Sequence, residues 1–288
     1  MDNTHDKMMR DLDRLLNSQD FKSEDEIRKF MDGLMNKKIP ELPVDNLSNK
    51  EKAQDLVFDA YEASPKKAKA KIEQALKLDP DCIEAYEFLG ARETNVRLKA
   101  GYFEKGIVIG RRIFGGDYLK EHKGHFWGFT ETRPFMRCME AYSWCLHYEG
   151  KLSESVAVLE EMIELNPNDN QGVRDQLLTY LIELGDDSKF QRYNKKYHDD
   201  DTAFMLYNRA LFSFKTGGDS PISQKLIAKA IKGNKHVPGL LLAKTPVKTF
   251  GDSFIMGDES EAEYYVYFSY SVWRKVDGAI DWLWSHHA

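Results

Sequence analysis

A period of 34 residues constrains this chain more than any other feature of it. Residues 136–169 carry one helical pattern (Met139, Tyr142, Ser143, Leu146), a turn at Gly150, and a second pattern (Val156, Leu159, Met162, Ile163) that stops at Leu165-Asn166-Pro167. Apolar residues three and four apart share a helix face, glycine permits the turn, and proline cannot continue a helix. The same register runs through 170–203, with Leu177, Tyr180 and Gly185, then Phe190 and Tyr193. It continues through 204–237, with Leu211, Gly217-Gly218, Ile227 and Ala230, and its closing Pro238 stands three places late. Upstream, 49–82 ends in Ala75-Leu76-Lys77-Leu78-Asp79-Pro80, a near copy of the later stop, and Tyr86, Leu89 and Gly90 open a further unit. Gly90 stands 53 residues before its counterpart Ser143, which implies an insertion near 110–134. The last unit starts at Ser260, where Ser260-x-x-Glu263 reads as a capping box, and runs through Tyr267, Tyr270 and Ala279 to Leu283.

Two amphipathic helices around a glycine turn, closed by proline within 34 residues, resemble the tetratricopeptide repeat. The resemblance implies an all-α fold, a right-handed solenoid of five to six helix pairs with an inner groove, because a single pair cannot bury its own apolar faces. Residues 1–45 read as an amino-terminal helical cap and 46–288 as the repeat domain. In the cap, Asp11–Leu16 and Ser23–Met35 have helical patterns, Ser23-x-x-Glu26 caps the second, and Ile39-Pro40-Glu41-Leu42-Pro43 breaks away. Strands are expected almost nowhere. Residues 238–258 read as a loop with a short helix over Gly239–Lys244.

In that repeat class the ligand-facing positions of each first helix fall here on Arg137, Glu140, Trp144, His147 and Tyr148. In the next two units they fall on Gln171, Arg174 and Leu178, then on Met205, Asn208, Phe212 and Lys215. Trp144, Leu178 and Phe212 occupy a position where members that clamp a peptide's terminal carboxylate carry Lys or Asn, so that pattern is broken. Arg137, Arg174 and Asn208 still suit an acidic group, since planar guanidinium donors fit carboxylates. The opposing reading is that the aromatics pack between helices and the arginines pair with neighbouring acids.

A narrower resemblance lies in His236-Val237-Pro238, Gly257-Asp258-Glu259-Ser260-Glu261-Ala262 and Trp273-Arg274-Lys275-Val276-Asp277-Gly278-Ala279. Over about 220–285 these blocks resemble the suppressor-of-tumorigenicity family of tetratricopeptide-like proteins. Animal members are membrane-associated, and this chain departs from them in lacking a spanning segment. The blocks 129–137 and 166–174 resemble segments found together in bacterial repeat proteins of unassigned function. Neither resemblance implies a catalytic residue.

The insertion is the most unusual stretch. Between Glu121 and Pro134 it gathers His122, His125, Phe126, Trp127, Phe129, Glu131 and Arg133. One reading is a binding loop, with Trp127 and Phe129 as anchors and Glu131 and Arg133 fixing polar groups. The other is a loop folded back so that its aromatics cap an exposed helix pair. The histidines are flanked by glycines and lack a third ligand at a suitable spacing, so no metal is expected.

A formal charge of -6 argues against gripping phosphate backbones, and Lys66-Lys67-Ala68-Lys69-Ala70-Lys71 has no interleaved aromatics, so no nucleic acid is expected. No apolar run is long enough to span a membrane, and the polar, acidic amino terminus does not read as a secretory signal. Cys82, Cys138 and Cys145 form no paired motif. A cytoplasmic location follows as the expectation. Nucleophile elbows, phosphate loops, dinucleotide fingerprints and zinc-protease motifs are missing. Gly106-Ile107-Val108-Ile109-Gly110 lacks the glycine density of a phosphate loop, and His198-Asp199-Asp200-Asp201 lacks the alternation of a calcium loop.

The expectation is a non-catalytic protein–protein interaction module (an adaptor, co-chaperone or assembly factor), with no cofactor. It would hold a peptide or partner helix carrying an acidic group through Trp127, Glu131, Arg133, Arg137, Trp144, Arg174 and Asn208. The competing class is an enzyme or small-molecule-responsive regulator using the 121–137 loop. A third is self-assembly through the aromatic end, from Tyr264 and Tyr265 to Trp282 and Trp284, as a homo-dimer.

Overall fold

The computed structural model describes residues 3–35, 40, 47–251 and 253–287, and among them every regular element is helical. The expected break at 39–43 lies outside the described residues except for Pro40, as does the end of the expected cap. The chain divides into two compact units, 1–150 with 164–168, and 151–163 with 169–288. The sequence reading had drawn one boundary near 45.

The first unit holds α1 (Asn3–Asn17), α2 (Glu24–Leu34), α3 (Asn49–Tyr61), α4 (Pro65–Leu78), α5 (Ile83–Arg92), α6 (Val96–Ile113), α7 (Gly116–His122) and α8 (Arg133–Tyr148). α1 begins well before the expected Asp11. Ser23 caps α2 as its spacing predicts, accepting from the Glu26 N–H. The α3 start is a reciprocal capping box: Ser48 accepts from the Glu51 N–H, and Glu51 accepts from the Ser48 N–H at 2.8 Å. α3 and α4 approach closely because Ala53, Ala60, Ala68 and Ala75 line their contact, with Val57 and Ile72 between them. α3 lies beside α5 and α5 beside α8, while α6 backs onto both α5 and α8. The glycines of 106–110 belong to that backing. A Cβ on Gly106 would sit 2.7 Å from the Cys138 Sγ, and one on Gly110 would enter the Phe135 ring.

The insertion forms α7 and two short 3₁₀ turns, Phe126–Gly128 and Thr130–Thr132. Phe126 is buried among Phe114, Tyr118 and Phe135, with ring centroids about 6 Å apart. Thr132 Oγ1 donates to the Phe126 carbonyl, which ties the loop down. The insertion thus contributes core to its own unit.

The second unit holds α9 (Leu152–Leu165, less its last two residues), α10 (Arg174–Leu184), α11 (Asp187–Lys196), α12 (Ala203–Gly217), α13 (Pro221–Gly233), α14 (Val237–Leu242), α15 (Glu259–Lys275) and α16 (Ala279–His287). Gly185, at φ 79°, ends α10 in the left-handed region that favours glycine. α14 starts two residues before the expected Gly239, because Pro238 opens the helix. The α15 cap is Asp258, whose side chain accepts from the Ser260 N–H; the Ser260-x-x-Glu263 box is not the start.

Two of the three carboxyl-terminal blocks supply residues, Glu261 and Trp273, to buried hydrogen bonds between helices. Glu261, 1% exposed, accepts from the Ala203 N–H at 2.8 Å, the Gly257 N–H at 2.7 Å and Asn234 Nδ2 at 3.0 Å. One carboxylate therefore joins the start of α12, the end of α13 and the first turn of α15. Trp273 Nε1 donates to the Tyr265 hydroxyl, Tyr265 donates to Asn208 Oδ1, and Asn208 Nδ2 donates to Thr179 Oγ1, crossing α15, α12 and α10. Arg274 donates to the Leu241 and Ala243 carbonyls and so holds the end of α14.

Candidate functional site

The first unit carries a charged seat, and its occupant is the chain's own α1. Asp6, Arg10, Asp13 and Arg14 recur at four-, three- and one-residue spacings, which puts them on one helix face. The Asp6 carboxylate reaches Arg133 Nη1 through Oδ1 at 2.8 Å and Arg137 Nη1 through Oδ2. Arg10 and Arg14 share Asp55 Oδ1 on α3, at 2.7 and 2.9 Å. Asp13 accepts from Thr130 Oγ1 at 3.1 Å, and the Arg10 guanidinium lies 4.3 Å from the Phe58 ring centre.

Beneath Asp6 lies a buried ion pair. Arg137 on α8 donates from Nε and Nη2 to the two oxygens of Glu87 on α5, at 2.7 and 2.9 Å. Burial by itself lowers the Arg137 pKa, but Glu87 and then Asp6 outweigh it and raise it, so Arg137 is a fixed cation. Such a pair favours a rigid, charge-assisted geometry more than net stability.

The seat is poorly filled. Leu15 is the one buried residue among the described side chains of α1 and α2, and Met8 is 48% exposed. Arg10 Nε and Nη1 are buried without a hydrogen-bond acceptor among the described residues, and Arg14 Nε meets Glu51 Oε1 at 3.3 Å only as an ion pair. A buried unmet donor costs about 1–3 kcal/mol. Burial, and then the neighbouring Arg14, lower the Arg10 pKa despite Asp55. Open clefts flank α1, one of about 560 Å³ lined by Lys50, Glu51, Glu131 and Pro134 among others, and one of about 730 Å³ lined by Lys52, Leu56 and Gln74.

The sequence-derived site residues divide sharply between the units. Arg133 and Arg137 meet at Asp6. Glu131 is exposed on the smaller cleft and accepts from the Tyr118 hydroxyl at 3.3 Å. Trp127 is half-buried, its ring centre 5.7 Å from the Arg133 guanidinium, and its carbonyl accepts from Arg133 Nε. Trp144 is half-buried on α8. In the second unit, Arg174 is held by Asp169 at 3.0 Å and Asp200 at 2.7 Å. Asn208 is 1% exposed and its amide is spent between Thr179 and Tyr265, which gives it a packing role. The residues that sequence reasoning missed are Asp6, Arg10, Arg14, Asp55 and Glu87. The signal for Asp6, Arg10 and Arg14 was the charged stripe of α1, which began upstream of the segment read as helix; Asp55 on α3 and Glu87 on α5 carried no local signal.

No protein-family model matches the chain. It is similar to curated proteins named "Suppressor of tumorigenicity 7 protein-like", from Bos taurus and Homo sapiens, at 25% identity over 233 residues covering 73% of this chain. It is also similar to "Suppressor of tumorigenicity 7 protein" from Mus musculus, at 23% identity over 231 residues. The matches cover 42% of the bovine protein and 40% of the human and mouse ones, so the chain spans about two fifths of these relatives' length. The similarity reaches well beyond the carboxyl third in which the three blocks lie. Those blocks carry the Glu261 and Trp273 hydrogen bonds, which are architectural.

The described residues bring no three His, Cys, Asp or Glu side chains together as a metal site. Among them no helix is long and apolar enough to cross a membrane. Cys82, Cys138 and Cys145 are buried and free, and burial raises each thiol pKa, which makes all three poor nucleophiles.

Proposed function

We propose that this chain is a tetratricopeptide-type helical-repeat protein and a non-catalytic interaction module. Its working surface is the face of α3, α5 and α8, which takes a partner helix or peptide. The observation that carries this reading is that the face already holds a helix by complementary charge, with a carboxylate between Arg133 and Arg137 and guanidinium groups on Asp55. A partner's acid would sit where Asp6 sits, and its bases where Arg10 and Arg14 sit. Helix-in-groove recognition of this kind uses anchors at successive turns of the bound helix.

A photo-crosslinking residue placed at Lys50, exposed on the smaller cleft, tests the reading against one at Lys67, exposed on α4. In cells of the source organism, an intermolecular adduct at 50 and none at 67 supports it. Adducts at neither position, or equally at both, remove it.

A further inference from the structure

We infer that α1 is an exchangeable self-ligand, and that the partner which displaces it is a helix presenting an acid, then arginines four and eight residues later, on one face. The inference rests on the reading of the α3–α5–α8 face as a helix-binding surface. It adds the charge register of the partner and the means by which the face is kept closed.

Three observations carry it. The seat recognises charge in a fixed order: Arg133, at 2.8 Å, and Arg137 take the acid, and Asp55 takes both arginines at 2.7 and 2.9 Å. The occupant is held by charge rather than by an apolar core, since Leu15 is the one fully buried residue among its described side chains. A surface helix normally docks through its apolar stripe; α1 docks through its charged stripe, and among the described residues Arg10 Nε and Nη1 meet no acceptor. The clefts on either side show room for a better-fitting helix. Charge order gives specificity and on-rate, while shallow burial lets the occupant leave.

Tethering explains why so modest a contact keeps the face closed. A segment joined to its own site acts at an effective concentration on the order of millimolar. If untethered α1 would bind the open face with a Kd of ~100 µM, the tethered helix keeps the face closed about ten to one, and any competing free helix is weakened about tenfold.

The test uses the full chain and a fluorescein-labelled peptide of residues 3–17, followed by anisotropy. The proteins are wild type and an Asp6→Ala/Arg10→Ala/Arg14→Ala variant, with equal folding checked by circular dichroism; all three changes lie on α1, outside the cores of α3–α8. The expected result is that the variant binds the peptide about tenfold or more tightly than wild type, and that a peptide carrying Asp6→Arg binds neither. Equal binding to both proteins overturns the latch, as does binding to neither. If neither protein binds while the Lys50 adduct persists, the inference fails and the interaction reading stands; loss of the adduct as well fails both. Concentration-dependent dimerisation of wild type in sedimentation, lost in the Asp6→Ala/Arg10→Ala/Arg14→Ala variant, would put α1 on a second copy of the chain and overturns the partner assignment.

Discussion

The amino and carboxyl ends are fastened by opposite means. At the amino end of the first unit, α1 is held by part-buried ion pairs and one buried leucine. At the carboxyl end of the second unit, α15 is held by buried hydrogen bonds through Glu261, Tyr265 and Trp273, each at most 1% exposed. Partly solvated ion pairs contribute little and are weakened by salt, whereas a buried group with all its partners in place is costly to disturb. A fastening of the first kind suits a contact that must open, and one of the second kind suits a scaffold.

The largest test of this contrast is Glu261→Ala. It strands the buried Ala203 N–H and Asn234 amide, frees the part-buried Gly257 N–H, and should destabilise the second unit by about 3–5 kcal/mol in urea unfolding. A loss under about 1 kcal/mol would mean that the carboxylate is not a clamp. Trp273→Phe removes the donor to Tyr265 from a fully buried position and should cost about 1–2 kcal/mol by the same measurement.

Asp175→Asn should act in the other direction. Asp175 is buried with Oδ1 unpartnered among the described residues, and burial raises its pKa well above its ordinary value, against the pull of Arg174 and with Asp200, Asp169 and Glu261 adding to the rise. A raised folded-state pKa means that the folded chain keeps a proton the unfolded chain has lost, so stability falls as pH climbs from about 4. The asparagine variant should therefore be more stable than wild type by about 1 kcal/mol or more at pH 7–8, with the curves converging below about pH 4. Parallel curves across that range would count against a buried neutral acid.

The smallest global effect belongs to Asp6→Ala. It should change unfolding free energy by less than about 1 kcal/mol, because the contact is partly solvated. Amide exchange in α1 should nevertheless rise severalfold, and raising NaCl should reproduce that rise in wild type. Unchanged exchange in α1 would erase the difference between the two ends.

The amphipathic patterns, the turn at Gly150 and the cap at Ser23 are local signals, which is why the helix pairs could be laid out along the chain from periodicity. Asp258 displaced Ser260 as the α15 cap because both residue types can accept from a first-turn N–H, and the structure gives the Ser260 N–H to Asp258. Arg133, Arg137 and Arg174 were legible as charge-bearing groups of the right type, but not their partners. Arg137 meets Glu87 fifty residues upstream and Asp6 from the far amino end; Arg174 meets Asp200 across the next helix pair. Helical periodicity thus determined the class of fold and the order of the elements, because it depends on neighbours a turn away. Which arginine is an internal tie and which faces the charged stripe of α1 was decided by tertiary structure, since that depends on carboxylates brought together from distant parts of the chain.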